Sequence, residues 1–76
     1  MRWSSTMNNS TFRMGVVEEF DEHVGLGYID SDGERYLFHC VELVDGTRSI
    51  AVGTKVRFVS VVRFGNREAS AVEATN

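Results

Sequence analysis

The 76-residue sequence predicts an all-β domain, five short strands rolled into a small closed or partly open barrel. Three observations predict it. Residues 14–75 break into five short runs of strand-like composition punctuated by glycine. Two breaks, Ser31-Asp32-Gly33 and Phe64-Gly65-Asn66, carry the residues that accept positive φ in a hairpin turn. No stretch after Met14 sustains an apolar period of 3.6 residues, and the chain has no proline. Rolling such strands into a barrel removes edges that would otherwise aggregate.

The elements follow in order. Residues 1–13 are rich in Ser, Thr, Asn and Met without periodicity, which predicts a disordered tail. Met14–Phe20 is the first strand, with Val17 its best core candidate. Gly25–Asp30 and Glu34–Cys40 form a hairpin around the Asp-Gly turn. Val41–Gly53 is a longer connection with one helical turn near Val41–Val44. Thr54–Val62, dense in β-branched and aromatic residues, is the fourth strand, and Arg67–Ala74 the fifth. The chain is long enough for one small core, assigned to a single domain over residues 14–76.

Charge narrows the function classes. The net charge is −3, and residues 14–76 hold all 11 acids against 6 bases. A protein that tracks duplex phosphates is handicapped by such a balance; one that binds by stacking tolerates it. The single cysteine, Cys40, cannot make an intrachain disulfide, which predicts a reducing, cytoplasmic setting. No apolar run approaches the ~20 residues of a membrane span, and the N-terminal residues lack a secretory apolar core, so no membrane association is expected.

Gly15-Val16-Val17, Phe20-Asp21 and then Gly25-Leu26-Gly27-Tyr28-Ile29 resemble the opening of a cold-shock domain, whose pattern is G-x-V-K-W-F-N followed by K-G-F-G-F-I. Tyr36-Leu37-Phe38-His39-Cys40 stands where that family has V-F-V-H-F. Further on, the run from Gly46-Thr47-Arg48-Ser49-Ile50 to Gly53-Thr54-Lys55-Val56-Arg57-Phe58 looks like G-Y-K-S-L-x-E-G-Q-K-V-x-F. The resemblance covers residues 14–75 in order and without large gaps. It implies a five-stranded antiparallel OB-fold barrel. It also implies binding of single-stranded RNA or DNA on an aromatic platform over strands two and three, as an RNA chaperone or a regulator of transcription or translation.

Alternation along a strand puts Leu26 and Tyr28 on one face of strand two, and Leu37 and His39 on one face of strand three. Tyr28 and His39 match the family's platform residues, and Phe20 matches an aromatic closing strand one. Leu26 and Leu37 replace phenylalanines, so they offer apolar contact without a π-face. Glu18 and Glu19 stand where the family has Lys and Trp. Val24 replaces a lysine, Cys40 an aromatic and Thr47 a loop aromatic. Cations and rings are lost together, so weakened affinity with a shallow salt dependence is expected. Arg48 keeps a basic loop position. Arg63, Phe64 and Arg67 cluster at the last hairpin as a possible clamp of ring and guanidiniums. Arg35 is placed at the mouth of the barrel.

No enzymatic chemistry, metal or cofactor is expected. Cys40 follows His39 in a strand, so the two point to opposite faces and cannot pair as nucleophile and base. His23, His39 and Cys40 lack zinc-site spacing, and Asp30, Asp32 and Glu34 span too short a run for a calcium loop. Gly25-x-Gly27 precedes a strand, which excludes a dinucleotide fingerprint. The alternative function is docking: the Leu26–Leu37 patch, rimmed by Glu18 and Glu19, would serve a basic protein partner or self-association.

Overall fold

Five strands carry the chain in a computed structural model that describes residues 12–75: β1 (Phe12–Asp21), β2 (Leu26–Ser31), β3 (Glu34–His39), β4 (Lys55–Arg63) and β5 (Asn66–Ala74). They close a barrel in the order β1-β2-β3-β5-β4. The expected all-β class and the expected strands are present. One detail is corrected: β3 and β5 run parallel, meeting at Leu37↔Glu68, with an isolated parallel bridge at Leu43↔Val72 just beyond. Geometry requires this. A closed ring of five strands is odd-numbered, so its strands cannot alternate in direction all the way round.

β1 begins at Phe12, two residues before the expected start, because the edge of β4 offers a ladder there: Phe12 pairs with Val59 and Arg13 with Phe58. The tail reading for residues 1–11 lies outside the described residues. The helical turn expected near Val41–Val44 is a 3-10 turn over Cys40–Glu42, which ends β3 at His39.

Side-chain alternation fills the barrel. In β2, Gly27, Ile29 and Ser31 face inward while Leu26, Tyr28 and Asp30 are half-buried outside. The core is Val17, Ile29, Tyr36, Phe38, Leu43, Val56, Phe58, Ala69 and Val72. Each large side chain among these contributes about 1.5–3 kcal/mol by burial. Ser31, buried with them, donates its hydroxyl to the Met14 carbonyl at 2.8 Å.

A bulge in β1 breaks the alternation and shapes the outer surface. Val17 pairs with Ile29, but Glu19 pairs with the next residue, Tyr28, leaving Glu18 as the extra residue. Both carboxylates consequently face out. Opposite the bulge, a Cβ on Gly27 would lie 2.5 Å from the Glu19 carbonyl oxygen and 2.7 Å from the Phe38 ring. Only glycine fits that crossing without moving the backbone.

Candidate functional site

The register of β2 against β3 assembles the predicted patch. Leu26 lies opposite His39, Tyr28 opposite Leu37, and Asp30 opposite Arg35, all on the outer face. Leu26, Tyr28 and Leu37 are half-buried and His39 is exposed. Four of the predicted residues therefore share one surface. Phe20, half-buried, lines the same concavity as Leu26, Tyr28 and Leu37, but its ring packs on the core, stacked on Phe38 with centroids 5.7 Å apart and planes at 11°.

Tyr28 is already covered. The Arg35 guanidinium sits 4.1 Å from the centre of its ring. Arg35 Nε donates to Glu18 Oε1 at 3.1 Å, and its Nη2 lies 3.5 Å from Glu19 Oε2. The bulge that turns both glutamates outward is what lets them grip one arginine. Each contact is weak alone, about 0.5–1 kcal/mol for an exposed cation–π pair and ~0–1 kcal/mol for an exposed ion pair. Together they fix the guanidinium over the face of the Tyr28 ring. Arg35 is thus over the platform and not merely at the barrel mouth. The signal for this was available in the alternation, since residues 35, 37 and 39 share a face. The bulge was not legible.

Two concavities flank Tyr28 and Leu37, and their walls differ in sign. The first, about 450 Å³, runs over β1 and β2 between Glu18, Glu19 and Asp21, with Leu26 and Leu37 in its floor. The second, about 360 Å³, lies toward the β4–β5 turn and is lined by Arg35, Asn66 and Arg67 along with Tyr28 and Leu37. The platform is therefore acidic on its β1 side and cationic and amide-bearing on its β5 side.

The remaining predicted residues are spread more widely. Phe64 is fully exposed at the tip of the β4–β5 hairpin, at φ 52° and followed by Gly65 at φ 79°. Arg63 pairs with Asn66 and Arg67 with Val62, so the two guanidiniums leave opposite faces of the hairpin and do not converge on the ring. Both are engaged by carboxylates, Arg63 Nη1 with buried Glu68 at 3.0 Å and Arg67 Nε with Glu34 at 2.7 Å. Arg48 lies in the β3–β4 connection at φ 61° and lines neither concavity beside Tyr28.

In that same connection Asp45 accepts hydrogen bonds from the Thr47 amide at 3.0 Å and the Thr47 hydroxyl at 2.9 Å. These bonds favour the carboxylate and hold its pKa below the ordinary aspartate value. Among the described residues, no three His, Cys, Asp or Glu side chains are grouped to hold a metal ion. No helix among the described residues is long and apolar enough to cross a membrane. Cys40 is a free, half-buried thiol.

Comparison with known proteins places the fold. No family-wide sequence profile and no curated protein matches the chain. Among solved structures, a cold-shock domain structure of Drosophila Unr, CSD456, is similar with a TM-score of 0.74 at 20% identity. The match covers 87% of this chain and 27% of that one, so this chain spans about a quarter of its neighbour's length. The barrel has the cold-shock OB fold.

Proposed function

From its cold-shock fold and outward platform, we propose that this chain is a binding module for single-stranded RNA or DNA, acting without chemistry. The observation that carries this reading is the register that puts Tyr28 beside Leu37 and Leu26 beside His39 on one exposed face. Bases stack on such faces for about 1–3 kcal/mol each when the side chain is aromatic. Here Tyr28 and His39 are the stackers. Leu26 and Leu37 are an apolar floor, and Arg35 and Arg67 supply cations on the β5 side.

Affinity is modest on this reading. Two platform positions are aliphatic, Arg35 is neutralised by Glu18 and Glu19, and Arg63 and Arg67 are neutralised by Glu68 and Glu34. A weak, salt-tolerant binder suits a passive chaperone or regulator that keeps strands unpaired. A reducing cytoplasm, in which Cys40 stays a thiol, is the proposed setting.

One specific observation favours a second reading, protein docking. The concavity on the β1 side has three carboxylates and no cation in its lining, with apolar side chains between them. That combination suits a basic, apolar segment better than a polyanion.

Titration with unstructured oligonucleotides, followed by backbone amide shifts at low and moderate salt, separates the readings. Strand binding gives shifts in β2, β3 and the β4–β5 turn that Tyr28→Ala and His39→Ala abolish. No shift at high oligonucleotide concentration would leave docking as the function.

A further inference from the structure

The groove on the β1 side is chemically unlike the rest of the platform. Glu18, Glu19 and Asp21 form its wall. Among the described residues, Glu18 and Glu19 share the single guanidinium of Arg35, and Asp21 Oδ1 accepts from the backbone amides of His23 at 2.9 Å and Val24 at 3.4 Å. Among the described residues, the wall thus carries three carboxylates against one bound cation. Its rim is apolar and open to water, with Val24 63% and Val52 62% exposed above half-buried Leu26 and Leu37. The ligand that fits is cationic at one point and broadly apolar beside it.

The sequence contains one segment of that chemistry outside the described residues. Residues 1–11 hold no acid, one cation (Arg2) and, immediately beside it, the only tryptophan of the chain, Trp3, with Met7 further on. Nine steps separate Trp3 from Phe12, roughly 30 Å of extended chain before the reversal of direction is taken out. Glu19–Asp21 lie seven to nine steps along β1 from Phe12, about 23–30 Å at ~3.3 Å per residue. A segment folded back along β1 reaches the groove. On the way it crosses the exposed side chains of Phe12, Met14 and Val16, which line the outer face of β1 in succession.

We propose that this groove is the docking site of the chain's own residues 1–11, with the Arg2 guanidinium at Glu19 and Asp21 and the Trp3 indole on Leu26 and Leu37. The attachment in cis supplies a high effective concentration, so individually weak contacts suffice. Apolar contact holds the indole, and the carboxylates hold the cation and set the direction of the segment. The inference gives the acidic side of the platform an occupant. It shares Leu26 and Leu37 with the proposed strand platform, so a docked Trp3 competes with bases there, while its own readout needs no oligonucleotide.

Trp3 reports its own position, being the sole tryptophan. In the full chain, docking gives a blue-shifted Trp3 emission and an acrylamide quenching constant several-fold below that of a free tryptophan amide, both independent of protein concentration. Leu37→Asp returns both to the free values. Glu19→Lys, an exposed change that leaves the core alone, moves them in the same direction, as do Arg2→Glu and high salt to a lesser extent. Emission and quenching equal to the free amide overturn the proposal. Protection that survives both groove variants places the indole elsewhere and overturns it too. Protection that rises with protein concentration assigns the groove to a second copy and overturns docking in cis.

Discussion

The guanidinium of Arg35 lies 4.1 Å from the ring centre of Tyr28, anchored by Glu18 at 3.1 Å and Glu19 at 3.5 Å, so the face of this outward ring is occupied from within the chain. An incoming base meets a guanidinium plane before it meets the phenol ring. Either it stacks on that plane or the arginine swings aside. Both routes are eased when the two carboxylates are removed. Glu18→Gln combined with Glu19→Gln, which also deletes two negative charges, is expected to tighten oligonucleotide binding about tenfold, or ~1.4 kcal/mol. Affinity measured at two salt concentrations checks it, with the steeper salt dependence appearing in the double variant.

The leucines of the platform set a second expectation. Leu26 and Leu37 are outward and half-buried, so larger rings there meet solvent and not the core. Leu37→Phe is expected to gain about 1–3 kcal/mol of strand binding with little change in stability, and Tyr28→Ala to lose a similar amount. Fluorescence anisotropy of a labelled oligonucleotide measures both. A Leu37→Phe variant that binds no better would show that bases do not sit on β3.

Phe64 separates turn stability from binding. A bulky side chain at φ 52° costs roughly 1–2 kcal/mol relative to residues that tolerate this region. The following Gly65 makes Phe64→Asn an Asn-Gly hairpin turn, the favoured pair for this geometry. Chemical denaturation should show that variant more stable by about 1 kcal/mol. If the exposed ring touches nucleic acid, the same variant binds less tightly, and stability and affinity move in opposite directions.

Inside the barrel, Phe38 is fully buried and carries Phe20 on its face. Phe38→Ala is expected to cost about 3–5 kcal/mol. Gly27→Ala, whose methyl would press on the Glu19 carbonyl and the Phe38 ring, is expected to cost about 1–3 kcal/mol through overpacking. Urea unfolding measures both. Since the strain is shared with the bulge, Gly27→Ala should also disturb the Glu18–Arg35 contact.

For Asp45 the sign is set by its bonds from Thr47. The folded pKa is depressed, so the loop stabilisation is present above the ordinary aspartate value and is lost as pH falls through the depressed one. Carboxyl titration by NMR should give a midpoint that rises to the ordinary value in Thr47→Ala if the Thr47 amide also disengages, and part of the way if only the hydroxyl is lost.

Much of this barrel could be read from residue order. Val17, the core candidate named from the strand pattern, is buried, and Ile29, Phe38 and Phe58 are buried with it where alternation and apolar character agree. The Asp32-Gly33 turn was legible because both residues sit at positive φ, 53° and 82°, a conformation their side chains permit. Tyr28, Leu37, Leu26 and His39 came together because spacing by two keeps a face. What was hidden depended on pairing between distant strands. The extra residue at Glu18 shows only against β2, and the early start of β1 only against β4. The grip on Arg35 follows from the bulge, so it was hidden as well. Cations near the last hairpin were legible as residues, but their separation onto two faces required the β4–β5 register.

The parallel meeting of β3 and β5 at Leu37↔Glu68 is the shortest ladder in the barrel, and it joins strands far apart in the chain. It is the natural place for the cylinder to unzip. Amides along this seam should exchange with solvent at a lower free energy than those of the longer β1–β2 and β4–β5 ladders. Leu37 is also a platform residue, so whatever occupies that face straddles the seam and acts as a strap across it. Ligand binding then reads out as slowed exchange on β5, a strand the ligand need not touch along its length.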